Sequence, residues 1–199
     1  LAADMQIEGS ALKIIKRYLA SSKTARMDCL LINQRFPVLH LADIGINANM
    51  IKDFDKDPNR GWFTYARYAL YHLQRVTNFQ VKINNQKDTI LSKGVMVGIC
   101  NGNTFGTTGI KLNKISKIDD GKFEVVVIKA LRFSNLISAS LSTINEEWYD
   151  DENYEIIQSD YAEIELEKPM QLQIDGEIID EFDKVTVSVK PKAIEYLVI

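Results

Sequence analysis

The sequence predicts an α+β fold dominated by antiparallel β structure, and three observations carry that expectation. From Phe79 to Val189 the chain is a series of short alternating or continuous apolar runs, the pattern of half-buried and buried strands. The pairs that separate several of them, Asn84-Asn85, Asp120-Gly121 and Asp175-Gly176, are turn chemistry, because Asn, Asp and Gly accept positive φ at little cost. Helical spacing of apolar residues occurs in only two stretches, both in the first half.

The first helix is expected over 9–20, where Ser10 can cap and Leu12, Ile15 and Leu19 recur on one side. From Arg26 the pattern changes. Cys29-Leu-Leu-Ile32 and Phe36-Pro-Val-Leu39, separated by Asn33-Gln-Arg35, predict a hairpin. Ala42-Asp-Ile-Gly-Ile-Asn-Ala-Asn49 is strand-like with Gly45 inside it. The second helix is expected over 62–78, with Trp62, Ala66, Ala69, Leu73 and Val76 on one face and Arg67, Tyr71, Gln74 and Arg75 on the other. Pro58 and Gly61 precede it as punctuation. Strands are then expected at 79–83, 89–99, 122–129, 161–166, 170–174, 177–182 and 185–189, interrupted by an acidic exposed stretch from Glu146 to Glu152.

The totals exclude several classes of function. With 199 residues, 46% hydrophobic and 26% charged, the chain can bury a sizeable core and is not disordered. A net charge of -3 offers nucleic acid no broad attraction, so no nucleic-acid partner is expected. Cys29 and Cys100 lie far apart without a CxxC or a Cys/His cluster, which fits free thiols in a reducing compartment rather than a zinc site, with a single long-range disulfide left open. No apolar run approaches the roughly 18–20 residues that span a bilayer, and no signal peptide is visible, so a cytoplasmic protein is expected. The opening Leu1-Ala-Ala-Asp-Met reads like an interior piece of a longer protein.

Three segments then carry a resemblance: Asn101-Gly-Asn-Thr-Phe-Gly-Thr-Thr-Gly109, Lys117-Ile-Asp-Asp-Gly-Lys-Phe-Glu-Val125 and Gln173-Ile-Asp-Gly-Glu177. In this order and spacing they resemble the C-terminal domain of the diacylglycerol kinase and sphingosine kinase superfamily. Asp43-Ile-Gly-Ile-Asn-Ala48 and Gly61-Trp-Phe-Thr-Tyr65 look like two further family segments, and the match spans roughly residues 26–199. Two departures stand out. Gly106-Thr-Thr-Gly109 is poorer in glycine than the family loop, and Lys114-Ile-Ser116 lacks the usual Pro and Ala.

The resemblance implies a two-layer antiparallel β-sandwich with one or two helices: a helical remnant over 1–25 adjoining a nucleotide-binding domain, and a β-rich lipid-substrate domain over 26–199. It implies an ATP-dependent lipid kinase of phospholipid biosynthesis, acting on a diacylglycerol-like lipid at the membrane periphery, with Mg²⁺ as cofactor and ATP as co-substrate. A homodimer is left open. The family's Gly-Gly-Asp-Gly-Thr phosphate loop, whose glycines expose backbone N–H groups to phosphate, does not occur in these 199 residues. The chain alone is therefore expected to be inactive. Two alternatives remain: a stand-alone lipid-binding or regulatory module, and a small-molecule kinase of the NAD kinase class.

Residue by residue, the resemblance makes Asp175 the base that takes a proton from the lipid hydroxyl, with Glu177 as its partner or as a Mg²⁺-water ligand. On local chemistry alone Asp175-Gly176 is a type I′ hairpin turn. Asp120 is implied to bind Mg²⁺ with the backbone carbonyls of Lys117 and Lys122, an all-oxygen set; locally, Asp119-Asp120-Gly121 is an exposed turn. Asn101, Asn103 and Thr104 are implied to face the nucleotide across a cleft, and otherwise end a strand. Trp62, Tyr65 and Leu73 read as core, Arg67 and Arg75 as solvated surface. His40 and His72 have no metal-ligand spacing.

Overall fold

A computed structural model describes residues 5, 7, 9–45, 56–59, 67–68, 71, 77–102, 104–105, 110–111, 116–129 and 154–198. Helix α1 (Ala11–Ala20) is followed by β1 (Thr24–Ile32), β2 (Phe36–Val38), β3 (Leu41–Gly45), β4 (Phe79–Asn84), β5 (Thr89–Gly94), β6 (Met96–Cys100), β7 (Thr104–Phe105), β8 (Ile110–Lys111), β9 (Phe123–Ile128), β10 (Tyr154–Ser159), β11 (Tyr161–Ile174) and β12 (Glu177–Leu197). Of the expected helix over 62–78 only 67, 68, 71, 77 and 78 are described, and the acidic stretch 146–152 and the Gly106–Gly109 loop lie outside the described residues.

Among the described residues, ten strands form one antiparallel sheet in the order β10-β9-β6-β3-β11-β12-β1-β2, with β4 and β5 branching from β11; β7 and β8 pair separately. The branch makes the two layers. One edge of β11 serves two partners in succession, β4 through Glu163–Leu166 and β3 through Leu172–Ile174, while β12 holds its other edge. Apolar side chains of both arms, Val81 and Ile83 on β4 with Ile44, Ile99 and Val125 on β3, β6 and β9, meet in one buried cluster with β1, β11 and β12. The mainly β, sandwich-like fold expected from the sequence is what the chain adopts.

Two long strands replace two pairs of expected short ones. Residues 161–166 and 170–174 are one strand, because the backbone stays extended through Glu167-Lys168-Pro169 while its pairing shifts register there. Pro169 brings no N–H to a ladder, so it sits where the pairing is already broken. Likewise 177–182 and 185–189 belong to β12.

Local chemistry fixes the junctions. β4 alternates buried Phe79, Val81 and Ile83 with exposed Gln80, Lys82 and Asn84, as expected of a strand with one wet face. β6 and β9 are buried on both faces, and their sequences are continuously apolar apart from Glu124. Phe123 is wholly buried; removing such a ring costs about 3–5 kcal/mol. Gly45 closes β3 opposite Met96 with φ +117°, and a Cβ there would stand 2.6 Å from the Val95 carbonyl oxygen. Only glycine fits that approach.

Candidate functional site

The Asp175-Gly176 pair links β11 to β12 in a two-residue turn, with Ile174 opposite Glu177. Both turn residues have positive φ, 48° and 97°, the signature of the type I′ turn that the sequence predicts. What the sequence does not show is where the carboxylate goes. Asp175 Oδ2 accepts the Leu39 N–H at 2.8 Å, and Oδ1 accepts those of His40 at 2.9 Å and Leu41 at 3.0 Å. The Asp175 N–H in turn donates to the Leu41 carbonyl at 2.8 Å. The segment between β2 and β3 thus forms a cradle of N–H groups for this one side chain. A carboxylate has about four lone-pair directions. Among the described residues three are occupied, two at Oδ1 and one at Oδ2.

Beneath the turn the polar groups are buried and paired. The Gly176 N–H donates to Gln173 Oε1 at 2.8 Å, and Gln173 Nε2 donates to Asp43 Oδ2 at 2.8 Å. Cys29 lies close enough for the Asp175 charge to act on it. Its thiol is pushed up from the ordinary value chiefly by burial, with Asp175 adding and a hydrogen bond to the Val38 backbone opposing. It is a neutral, buried thiol, poorly suited to nucleophilic or ligand chemistry, and Cys100 is likewise buried and not in a disulfide. Glu177 stands exposed at the start of β12, beside the turn.

Asn101 follows β6 and is wholly buried. Its Nδ2 donates to the carbonyls of Asp28 at 2.8 Å and Leu39 at 2.9 Å, and its backbone N–H donates to the His40 carbonyl at 2.9 Å. Asn103 and the Thr104 side chain lie outside the described residues, as do Trp62, Tyr65, Leu73, His72 and Arg75; the Thr104 backbone belongs to β7. The Arg67 side chain is 66% exposed and pairs with Asp57, in keeping with a surface residue.

The other Asp-Gly turn is built differently. Asp120 is exposed and accepts N–H groups of its own turn, Lys117 at 3.3 Å and Lys122 at 3.0 Å. Gly121, with φ 74°, donates its N–H to Asp28 Oδ2 at 2.7 Å, and Asp28 Oδ1 accepts the Lys192 N–H at 2.7 Å. Asp28 is fully buried on β1 at the register shift opposite β12, where Lys192 has φ 51°. The sequence singles out no role for Asp28, and Asp43 and Gln173 enter there only as the first residues of two family-like segments. The available signal was a charge inside an apolar run, Met27-Asp-Cys-Leu-Leu31 and Leu41-Ala-Asp-Ile44.

Among the described residues no three His, Cys, Asp or Glu side chains gather as a metal site. The Asp120 turn nonetheless has chemistry that fits Mg²⁺: each carboxylate oxygen accepts a single N–H, and one exposed carboxylate with carbonyls and water is a usual Mg²⁺ shell. No described helix is long and apolar enough to cross a membrane.

Comparison with known proteins agrees with this architecture. The chain is 27% identical over 164 residues to a Staphylococcus carnosus protein described as "Putative lipid kinase", covering 81% of this chain and 53% of that protein. It therefore spans about half the length of that curated relative. Two Bacillus anthracis crystal structures, described as a diacylglycerol kinase and "a putative diacylglycerol kinase", share the fold, with TM-scores of 0.64 and 0.69 at 14% and 16% identity. Each match covers 98% of this chain, and 61% and 64% of theirs. Residues 42–198, most of the chain, match the model of the YegS C-terminal NAD kinase beta sandwich-like domain, and to that family the chain belongs.

Proposed function

We propose that this chain is the lipid-substrate part of an ATP-dependent lipid kinase, with Asp175 as its general base and a diacylglycerol-like alcohol as the acceptor. The observation that supports this reading is the cradle: a carboxylate held by three backbone N–H groups, with Oδ2 accepting one described donor against two at Oδ1. A base must be fixed relative to the hydroxyl it deprotonates, and this one is fixed at both oxygens.

In the proposed step the lipid hydroxyl oxygen forms a bond to the γ-phosphorus of ATP while the bond from that phosphorus to the β,γ-bridging oxygen breaks. The hydroxyl proton passes to Asp175 Oδ2, ADP leaves, and the product is the lipid phosphate. Positioning and charge stabilisation supply most of the catalysis in such transfers. Glu177, one residue beyond the turn, orients water or a metal-bound water beside the acceptor in this reading. Mg²⁺, when bound, neutralises phosphate charge, and a second Mg²⁺ at Asp120 with the Lys117 and Lys122 carbonyls would be structural.

In this reading residues 26–199 carry the lipid side and 1–25 adjoin the nucleotide-binding part, with Asn103 and Thr104 facing the nucleotide, while Asn101, expected beside them, is wholly buried and spends its amide hydrogens on the Asp28 and Leu39 carbonyls. The enzyme works at the membrane periphery from the cytoplasm. Because the phosphate loop is missing from this sequence, the chain alone turns over no ATP. The test is ATP-dependent phosphorylation of dioleoylglycerol in mixed micelles. The complete kinase should lose about 10²–10⁴-fold in kcat on Asp175→Asn, and the isolated chain should be inactive. A folded Asp175→Asn kinase retaining more than about a tenth of parental kcat rules out the base, given that expected loss. Turnover by the isolated chain rules out the division of labour.

A further inference from the structure

Asp175 is held by peptide groups, and those peptide groups are themselves held. Consider the two units that join Leu39 to His40 and His40 to Leu41. The N–H ends, on His40 and Leu41, both donate to Asp175 Oδ1. The C=O ends, on Leu39 and His40, both accept from Asn101, one from Nδ2 and one from the backbone N–H. A trans peptide is planar, with its C=O and N–H pointing in opposite directions. Fixing the carbonyl end therefore fixes the direction of the N–H. Asn101 and Asp175 grip opposite edges of the same two planes.

We propose that Asn101 is the positioning residue of Asp175, acting through the Leu39–His40 and His40–Leu41 peptide units. The claim rests on the reading of Asp175 as the base, since it says what aims that base. Several features support it. Asn101 is wholly buried, so its hydrogen bonds do not compete with bulk water. Its Nδ2 uses both hydrogens, one on Leu39 and one on the Asp28 carbonyl, so the amide plane is locked to β1 as well. Among the described residues its Oδ1 meets no hydrogen-bond donor. The side chain is thus used here purely as a double donor, and only an amide of this length supplies that. Donation at the C=O end also polarises the peptide, strengthening the N–H bond at the other end.

The experiment separates the brace from the chemistry. In the isolated chain, Asn101→Ala removes the Nδ2 grip on the Leu39 carbonyl and keeps the backbone grip on that of His40. It should therefore move the His40 amide resonance toward that of Asp175→Asn and raise its hydrogen-exchange rate by about tenfold or more, as expected of a local opening, with a smaller change at Leu41. The Thr186 amide, which donates to Asn33 Oδ1 elsewhere on the sheet, should not change. A His40 amide that keeps its parental shift and protection in folded Asn101→Ala overturns the proposal, as does equal loosening of Thr186. If Asn101→Ala does not fold, native-state exchange of the parent decides. The Asn101, His40 and Leu41 amides should then open together, and opening of the other two while Asn101 stays protected overturns the brace.

In the complete kinase Asn101→Ala should lower kcat by about 10-fold or more, as a misplaced base does, with little change in the KM for ATP. It should add almost nothing once Asp175 is Asn, because the two act as a unit. Full activity in Asp175→Asn removes the base and leaves the spectroscopic result standing, so the two failures are distinguishable.

Discussion

The chain contains the same dipeptide, Asp-Gly, at two turns, and the two are used in opposite senses. At Asp175-Gly176 the aspartate reaches out, accepting N–H groups from a segment more than a hundred residues earlier in the chain. At Asp120-Gly121 the aspartate satisfies its own turn, and the glycine reaches out, donating its N–H to the buried Asp28. One turn is an acceptor for distant donors and the other a donor to a distant acceptor. Identical local chemistry therefore predicts different consequences of mutation, and the size of each consequence follows the long-range partner rather than the dipeptide.

The largest effect should come from neither turn residue but from Asp28. Its two oxygens hold the Gly121 and Lys192 N–H groups in a fully buried place. Asp28→Ala orphans both, and a buried donor left without a partner costs about 1–3 kcal/mol, so about 2–6 kcal/mol in total. Urea unfolding of the isolated chain measures it. A loss below about 1 kcal/mol, less than one orphaned donor, would mean that water or the backbone re-pairs both groups, and the contrast between the turns would collapse.

Asp175→Asn comes next. The type I′ geometry alone makes Asn a neutral replacement, since Asn-Gly suits such a turn. The cradle changes that expectation. An amide keeps one acceptor but turns an NH₂ group toward an N–H that previously met a carboxylate oxygen. Asp175 itself is exposed and Leu39 is too, so water relieves part of the loss. A cost of about 1–3 kcal/mol, or roughly 2–4 °C of melting temperature per kcal/mol at this chain length, is expected. An unchanged melting temperature would reduce Asp175 to a turn residue.

The same contrast marks the limit of what the sequence discloses. Strands β4 and β9 are legible because alternation or continuous apolarity is a local property of a strand with one or two buried faces, whereas the single strand expected over 89–99 divides into β5 and β6 at Val95. The continuity of β11 is not legible either. Glu167-Lys168-Pro169 looks like a break, and it stays extended only because β4 and β3 take turns on one edge. At the site, the hairpin position of Asp175 is legible and its three donors are not, since no periodicity links Leu39–Leu41 to residue 175. Asp28 was a charge in an apolar run whose purpose depends on a bulge in β12, near the other end of the chain.

Asp120 should matter less. Its N–H partners lie on an exposed turn and can turn to water, so Asp120→Ala should cost under about 1 kcal/mol in EDTA. Mg²⁺ sharpens the comparison. If the turn holds the ion, Mg²⁺ should raise the melting temperature of the parent over EDTA, and Asp120→Ala should abolish that increment, because a ligand of the folded state stabilises it. Identical melting of the parent with and without Mg²⁺ removes the metal from this turn.

The smallest effect is expected where carboxylates meet side chains instead of backbone. Glu165 on β11 accepts from Lys82 Nζ at 3.0 Å, while Lys184 Nζ lies 2.7 Å from Glu163 and 3.6 Å from Glu165. The Lys82 hydrogen bond, then its charge, holds the Glu165 carboxyl below the usual value of 4.5, with Lys184 adding. The sign follows: a depressed carboxylate stabilises the fold above pH 4.5, and that contribution fades as pH falls through the lower folded value. Lys184 is the mirror case. The hydrogen bond to Glu163 raises it above 10.5, so its contribution is present below pH 10.5 and fades as pH climbs through the raised value. All these groups are solvent-accessible, and exposed pairs contribute little and are screened by salt. Glu165→Gln should therefore flatten the loss of stability below pH 4.5 in low salt, and do almost nothing in about 1 M NaCl, where the Debye length is about 3 Å. The cost of Asp175→Asn should survive that salt, because its donors are peptide dipoles in contact with the carboxylate. Chemical denaturation with urea at the two salt concentrations measures both, and equal salt sensitivity of the two variants would show that backbone cradle and side-chain pair are held by the same screened attraction.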